Sequence, residues 1–229
     1  MQGRISKIES LSAVDGPGLR FVVFMQGCPQ RCAFCHNPET WDLSGGQVIE
    51  SGELAEKILR TKLYLKSGGV TVSGGEPLLQ ARFLTEVFKK LKAEGINTAL
   101  DTSGCALNAD IAELLTLTDL ILLDIKFTSE LKYERYSAGS LEQTLLFLKE
   151  LLRLDKEVIV RYVVIPGIND ADIAELKSLC APFSCVKKIE LLPFSRLCLE
   201  KYDELGLEFK FKNIPECTPE AIEALNKLL

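Results

Sequence analysis

Six apolar runs rich in β-branched residues punctuate the chain: RFVVFM at 20–25, VTV at 70–72, INTAL at 96–100, LILLDIKF at 120–127, VIVRYVVI at 158–165 and KIELLPF at 188–194. Continuous apolar runs of this kind predict strands covered on both faces. The stretches between them carry apolar residues at helical spacing. In 80–95, Phe83, Leu84, Val87, Phe88 and Leu91 fall on one face, and Gly95 supplies a C-terminal stop. The 140–154 stretch opens with Ser140 and Gln143 at capping-box spacing, 170–180 opens on Asp170, and 218–229 opens on Thr218–Pro219. Strand followed by helix, repeated about six times, predicts an α/β fold of parallel βαβ units. Six units are fewer than the eight of a closed barrel. A partial, open parallel β/α barrel and an open doubly wound sheet both satisfy the periodicity. In either, chemistry belongs at the C-terminal ends of the strands. No linker, low-complexity run or internal repeat interrupts the series, so one domain over 1–229 is expected.

Composition narrows the class. At 229 residues and 47% hydrophobic, the chain can bury a large core. A net charge of −5 favours neither a nucleic-acid partner nor a membrane surface. No run of 18 apolar residues occurs, and the opening MQGRISKIESLSAVDGPGLR has no apolar signal core. A cytoplasmic location is expected. The last helix is apolar to its end, which leads us to expect further chain beyond Leu229.

Three of the eight cysteines sit within GCPQRCAFCHNP, at Cys28, Cys32 and Cys35. Cys105, Cys180, Cys185, Cys198 and Cys217 show no close ligand spacing and read as ordinary, partly buried thiols. Clustered cysteines in a long chain without an export signal point to metal or redox chemistry rather than disulfides. Thiolates hold soft metals and iron–sulfur clusters. Three thiolates on a four-iron cube leave one iron open to a small molecule. Three other readings stay open from these residues alone. His36, the single histidine, completes a zinc site, although a side chain adjacent to Cys35 is poorly placed to share one tetrahedral ion. A distant fourth cysteine completes an electron-carrier cluster. The three are unrelated free thiols.

The remaining polar and glycine-rich features follow strand ends. SGGEP at 73–77 follows the second run and DTSG at 101–104 the third. Asp124 and Lys126, two apart, close the fourth; Arg161 lies in the fifth and Ser195 follows the sixth. Taken singly, each has a plain reading: a strand-to-helix turn, a rim ion pair, a sheet-edge charge. Together they fall on one rim.

With Phe34 before the third cysteine, the C-x3-C-x-aromatic-C loop resembles the signature of the radical S-adenosylmethionine enzymes, and SGGEP resembles that superfamily's GGE motif. VDGPGLRFVVFMQGCPQRCAFCHNPETWD, then DTSG, LLDIK, RYVVIPGIND and KIELLPF in order, is similar to the glycyl-radical-enzyme activating enzymes. Among these it is most like those acting on pyruvate formate-lyase. The likeness runs from about residue 7 to 229. It implies the partial barrel and one 4Fe-4S cluster held by Cys28, Cys32 and Cys35. It implies S-adenosylmethionine chelating the open iron, cleaved to a deoxyadenosyl radical that takes a hydrogen atom from a glycine. The implied partners are pyruvate formate-lyase or another glycyl radical enzyme, and flavodoxin or ferredoxin as electron donor.

The resemblance also assigns roles. Backbone around Phe34, Cys35 and His36 meets the adenine; Gly74, Gly75 and Glu76 meet the methionyl end. Asp124, Ile125 and Lys126 lie near the ribose and carboxylate, with Arg161 on the same wall. Asp101, Thr102, Asp124 and the backbone of Leu122 match a monovalent-cation site, and Asp15 matches a position near the substrate peptide. The pattern departs at Ser195, where the family has a cofactor-facing histidine; a serine hydrogen-bonds but carries no charge. Residues 36–104 hold no cysteine, so no second cluster is expected.

Overall fold

The computed structural model describes all residues, 1–229. The chain divides into two compact units, Met1–Pro29 with Thr40–Leu122, and Gln30–Glu39 with Leu123–Leu229. The first contains β1 (Gln2–Ser12), β2 (Arg20–Met25), β3 (Gln47–Glu50), α1 (Ser51–Leu59), β4 (Gly69–Gly74), α2 (Ala81–Ala93), β5 (Thr98–Thr102), α3 (Ala109–Thr116) and most of β6 (Leu120–Asp124). The second takes the end of β6, then α4 (Glu130–Ser137), α5 (Leu141–Arg153), β7 (Glu157–Val164), α6 (Ile173–Cys180), β8 (Val186–Pro193), α7 (Leu199–Glu204) and α8 (Pro219–Asn226).

Each predicted apolar run is a strand: β2, β4, β5, β6, β7 and β8. Within the first unit the strand order is β3-β1-β2-β4-β5, and within the second β7 is followed by β8. The pairs β2/β4, β4/β5 and β7/β8 are parallel. The strand series ends on β3 and β8 and does not close on itself, as the strand–helix count predicts.

The first unit's core forms where apolar strands meet helical stripes. All six residues of β2 are buried, as are the first five of β4. Helix α2 buries Phe83, Leu84, Val87, Phe88 and Leu91, the predicted face, and lies against α1 and α3. Each such side chain contributes about 1.5–3 kcal/mol. Gly95 ends this helix at φ +71°, its N–H donating to the Lys92 carbonyl. Ser140 caps α5 by accepting from the Gln143 N–H, and Thr218 caps α8 by accepting from that of Ala221. No helix is long and apolar enough to cross a membrane.

Three features differ from the sequence expectation. The helix expected to open on Asp170 begins at Ile173, because Asp170 instead accepts from the Gly167 N–H and closes the preceding turn. Strand β5 spans Thr98–Thr102, two residues later than the run at 96–100. Strands β1 and β3 add an antiparallel edge that the pattern did not reveal.

One buried cation joins strand starts in the first unit. Arg20, 2% exposed, donates from Nε to Thr71 Oγ1 at 2.6 Å. Its Nη2 reaches the Val70 carbonyl and Asn97 Oδ1, both at 2.8 Å. Burial lowers its pKa to about 10. Thr71 Oγ1 in turn donates to the Asp15 carbonyl at 2.7 Å, which fixes the DGPG segment. Arg20→Met strands these acceptors, at about 1–3 kcal/mol for each one left without water. Urea denaturation should show a loss of about 3 kcal/mol or more, while Arg82→Met, at an exposed pair with Asp110, should change stability by under about 1 kcal/mol.

Candidate active site

The cysteine loop passes from one unit to the other: Cys28 belongs to the first, Cys32 and Cys35 to the second. In the first unit, two main-chain bonds join the turn after β4 to the turn after β2. The Gly75 N–H donates to the Met25 carbonyl at 2.9 Å, and the Glu76 N–H donates to the Gly27 carbonyl at 2.8 Å. The glycine-rich turn is thereby bonded to the residue preceding Cys28. Gly74 takes φ +102°, and a Cβ at Gly75 would stand 2.2 Å from the Gly27 oxygen. Both positions therefore require glycine.

Glu76 is 2% exposed and its carboxylate is fully engaged. Oε1 accepts from the Leu78 N–H at 3.1 Å and from Thr102 Oγ1 at 2.6 Å. Oε2 accepts from Ser103 N and Oγ at 3.0 and 2.6 Å. A buried carboxylate needs such donors, and DTSG provides them from the end of β5. The carboxylate's partners thus lie within the unit, and what the turn exposes is the backbone of Gly74 and Gly75. Asp101 accepts from Ser73 Oγ at 2.6 Å. The Thr102 hydroxyl also accepts from the Gly104 N–H at 3.1 Å, and Leu122 is buried in β6. Asp15 accepts from Ser12 Oγ at 2.6 Å.

In the second unit the loop is hung from the end of α4. Arg31 N–H donates to the Ser137 carbonyl at 2.9 Å and Ala33 N–H to that of Tyr136 at 2.7 Å. Cys32 and Cys35 share a turn through Cys35 N–H to Cys32 O at 3.0 Å, and the Asn37 N–H donates to Cys35 Sγ at 3.4 Å. The Phe34 side chain is core. It meets Phe127 edge-on at 5.9 Å and stacks on Phe211 at 6.5 Å, and the residue as a whole is buried. His36 Nε2–H donates to the Ser195 carbonyl at 3.1 Å. Lys126 pairs with Asp124 and stands 6.0 Å from the Phe34 ring centroid, while Ile125 N–H donates to the Arg161 carbonyl at 3.1 Å.

Each unit thus brings together part of the predicted set. The first joins Cys28, Gly74, Gly75, Glu76 and Thr102; the second joins Cys35 to His36 and Ser195, Lys126 to Phe34 and Asp124, and Ile125 to Arg161. Sequence reasoning missed Tyr133, whose hydroxyl accepts from the Lys126 N–H at 2.9 Å, together with Lys201 and Tyr202 on α7. Nothing in local periodicity marks them.

The donor set suits a thiolate-bound cluster. Cys28, Cys32 and Cys35 are free of disulfides, and an amide already points at one sulfur, as amides do in iron–sulfur sites. The other five thiols are disfavoured as thiolates. Burial, then the Glu76 charge, pushes Cys105 up to about 12; burial pushes Cys180 up to about 11 and raises Cys185, Cys198 and Cys217.

Residues 14–146 match the family described as "4Fe-4S single cluster domain". A domain of the pyruvate-formate lyase-activating enzyme from Bacteroides vulgatus superposes with a TM-score of 0.59 at 23% identity, over 71% of this chain and 93% of that one. QueE from Escherichia coli superposes with a TM-score of 0.55 at 20% identity, over 91% and 92%. These likenesses show the open strand–helix fold. The pyruvate formate-lyase-activating enzyme of Clostridium pasteurianum is 41% identical over 233 aligned positions, covering 100% of this chain and 98% of the relative. At that identity over that length, the chain belongs to the family of pyruvate formate-lyase-activating enzymes.

Proposed function

We propose that this chain activates pyruvate formate-lyase by generating a glycyl radical on it, through reductive cleavage of S-adenosylmethionine at a single 4Fe-4S cluster. The observation that carries this reading is the full-length identity to activating enzymes, with the three-cysteine loop and the glycine-rich turn after β4 both present. The two units act together as one radical S-adenosylmethionine domain. When bound, cluster and cofactor supply the electron transfer and hydrogen-atom abstraction that no side chain here can perform.

The protein's own residues bind, orient and shield. Cys28, Cys32 and Cys35 hold the cluster. The backbone of Gly74 and Gly75, with Glu76, receives the methionyl end. Main chain at Phe34, Cys35 and His36 receives the adenine. Asp124, Ile125 and Lys126 with Arg161 face the ribose and carboxylate, and Ser195 lies at the position of the family's histidine. Asp101, Thr102, the Leu122 carbonyl and Asp124 are assigned to a monovalent cation beside the carboxylate. Asp15, on a segment fixed through Thr71, faces the partner's glycine loop. That loop must leave its own fold to reach this rim, an order–disorder step in the partner. A flavodoxin or ferredoxin supplies the electron. Ser195 in place of histidine keeps a different glycyl radical enzyme as the second reading of the partner.

Anaerobic reconstitution with iron and sulfide, followed by low-temperature EPR, tests the reading. The reduced cluster signal should change shape on adding S-adenosylmethionine, and pyruvate formate-lyase should then acquire its glycyl radical doublet. Alanine at Cys28, Cys32 or Cys35 should abolish both signals, while Cys180→Ala should keep them; zinc in place of iron in the parent would sink the proposal. Gly75→Ala should retain iron yet weaken cofactor binding at least tenfold, because the Gly27 oxygen must move to admit the methyl group; unchanged binding would remove the glycine turn from the cofactor site.

A further inference from the structure

We propose that Lys201 is a positioning residue that tunes the cluster ligand Cys35 through a single peptide group, the one joining His36 to Asn37. This rests on the cluster reading above. Lys201 Nζ has three donors, and all three reach one short stretch of the cysteine loop: the His36 carbonyl at 2.8 Å, Asn37 Oδ1 at 3.0 Å and Glu39 Oε1 at 2.7 Å. The His36 carbonyl and the Asn37 N–H are the two ends of one planar amide. The far end of that amide donates to Cys35 Sγ at 3.4 Å. An ammonium bound to the carbonyl end polarises the amide and strengthens its N–H as a donor, the cooperative effect of linked hydrogen bonds. It also fixes the plane's tilt, and with it the direction of the N–H toward sulfur.

The neighbouring residue on α7 completes the hold. Tyr202, 2% exposed, donates its hydroxyl to the Cys35 carbonyl at 3.2 Å, and its ring meets Phe209 at 4.9 Å. Lys201 retains 36% side-chain exposure and Glu39 30%, so the ion pair alone would be worth little. The two bonds to Asn37 and the His36 carbonyl distinguish it from a generic rim pair. Hydrogen bonds to a cluster's sulfurs help set its reduction potential, and outer partners of metal ligands typically carry 10–100-fold in affinity or activity.

The experiment compares Lys201→Met, Lys201→Arg and Lys188→Met, the last at an exposed pair with Glu190 away from the loop. Three readings are taken: amide hydrogen exchange at 36–39 in metal-free protein, iron release to a chelator from reconstituted protein, and the midpoint potential of the cluster. Lys201→Met should accelerate exchange at Asn37, speed iron release on the order of tenfold and move the potential to more negative values. Lys201→Arg should restore part of each, and Lys188→Met should match the parent. A role confined to stability would lower the melting temperature without moving the potential. If Lys201→Met does not fold, Lys201→Gln, one atom shorter, with an N–H donor but no charge, takes its place. Unchanged potential and iron release in a variant whose parent holds the cluster would overturn the proposal. A parent that takes up no iron fails the cluster reading instead, and the metal-free exchange then decides the Lys201 contact by itself: unchanged exchange at Asn37 would overturn it.

Discussion

The first unit's contribution to the rim depends on two main-chain hydrogen bonds, from Gly75 to Met25 and from Glu76 to Gly27. They draw the turn after β4 against the turn after β2 so closely that position 75 has no room for a Cβ. Once the backbone is fixed there, the Glu76 side chain is buried, and a buried carboxylate must find donors or be expelled. Thr102 and Ser103 supply three of its four, so the end of β5 is drawn to the same place. The motifs SGGEP and DTSG are thus two halves of one arrangement, with GGE setting the approach and TS satisfying the charge it buries.

The same constraint separates what the sequence made legible from what it concealed. The six apolar strands read clearly because strands covered on both faces are apolar without interruption. Strand β1 did not. Its register shifts between Ile5 and Lys7 and again between Glu9 and Ser12, and each bulge breaks the alternation that would have announced it. Ile5, Ile8 and Leu11 consequently recur every third residue, a spacing that fits neither template. Strand β3 buries only Ile49 among four residues and leaves almost no signal. The cysteines and glycines of the rim were visible because their chemistry is local. Lys201 and Tyr202 were not, since they reach the loop across more than 160 residues of chain, and a Lys-Tyr pair on a short helix looks like any solvated face.

The resemblance assigns Glu76, with Gly74 and Gly75, to the methionyl end of the cofactor. The structure gives both oxygens to donors of its own unit. A carboxylate with these partners also shapes the turn, so a loss of affinity on changing it would not by itself identify a direct contact.

Position 195 carries the complementary lesson. The contact it makes with the cysteine loop runs through its main-chain oxygen, which accepts from His36. That contact is indifferent to side chain, so serine in place of the family's histidine leaves the loop's support intact. What changes is the charge available at the rim. His36 is the single imidazole in the chain, and its Nε2–H is already directed at Ser195. Positive charge among the second unit's assigned cofactor residues therefore falls to Lys126 and Arg161, of which Lys126 is paired with Asp124. A histidine at this position could vary its charge between pH 6 and 8, whereas lysine and arginine hold theirs throughout that range. The charged residues assigned to the cofactor wall accordingly sit on or just beyond the strands.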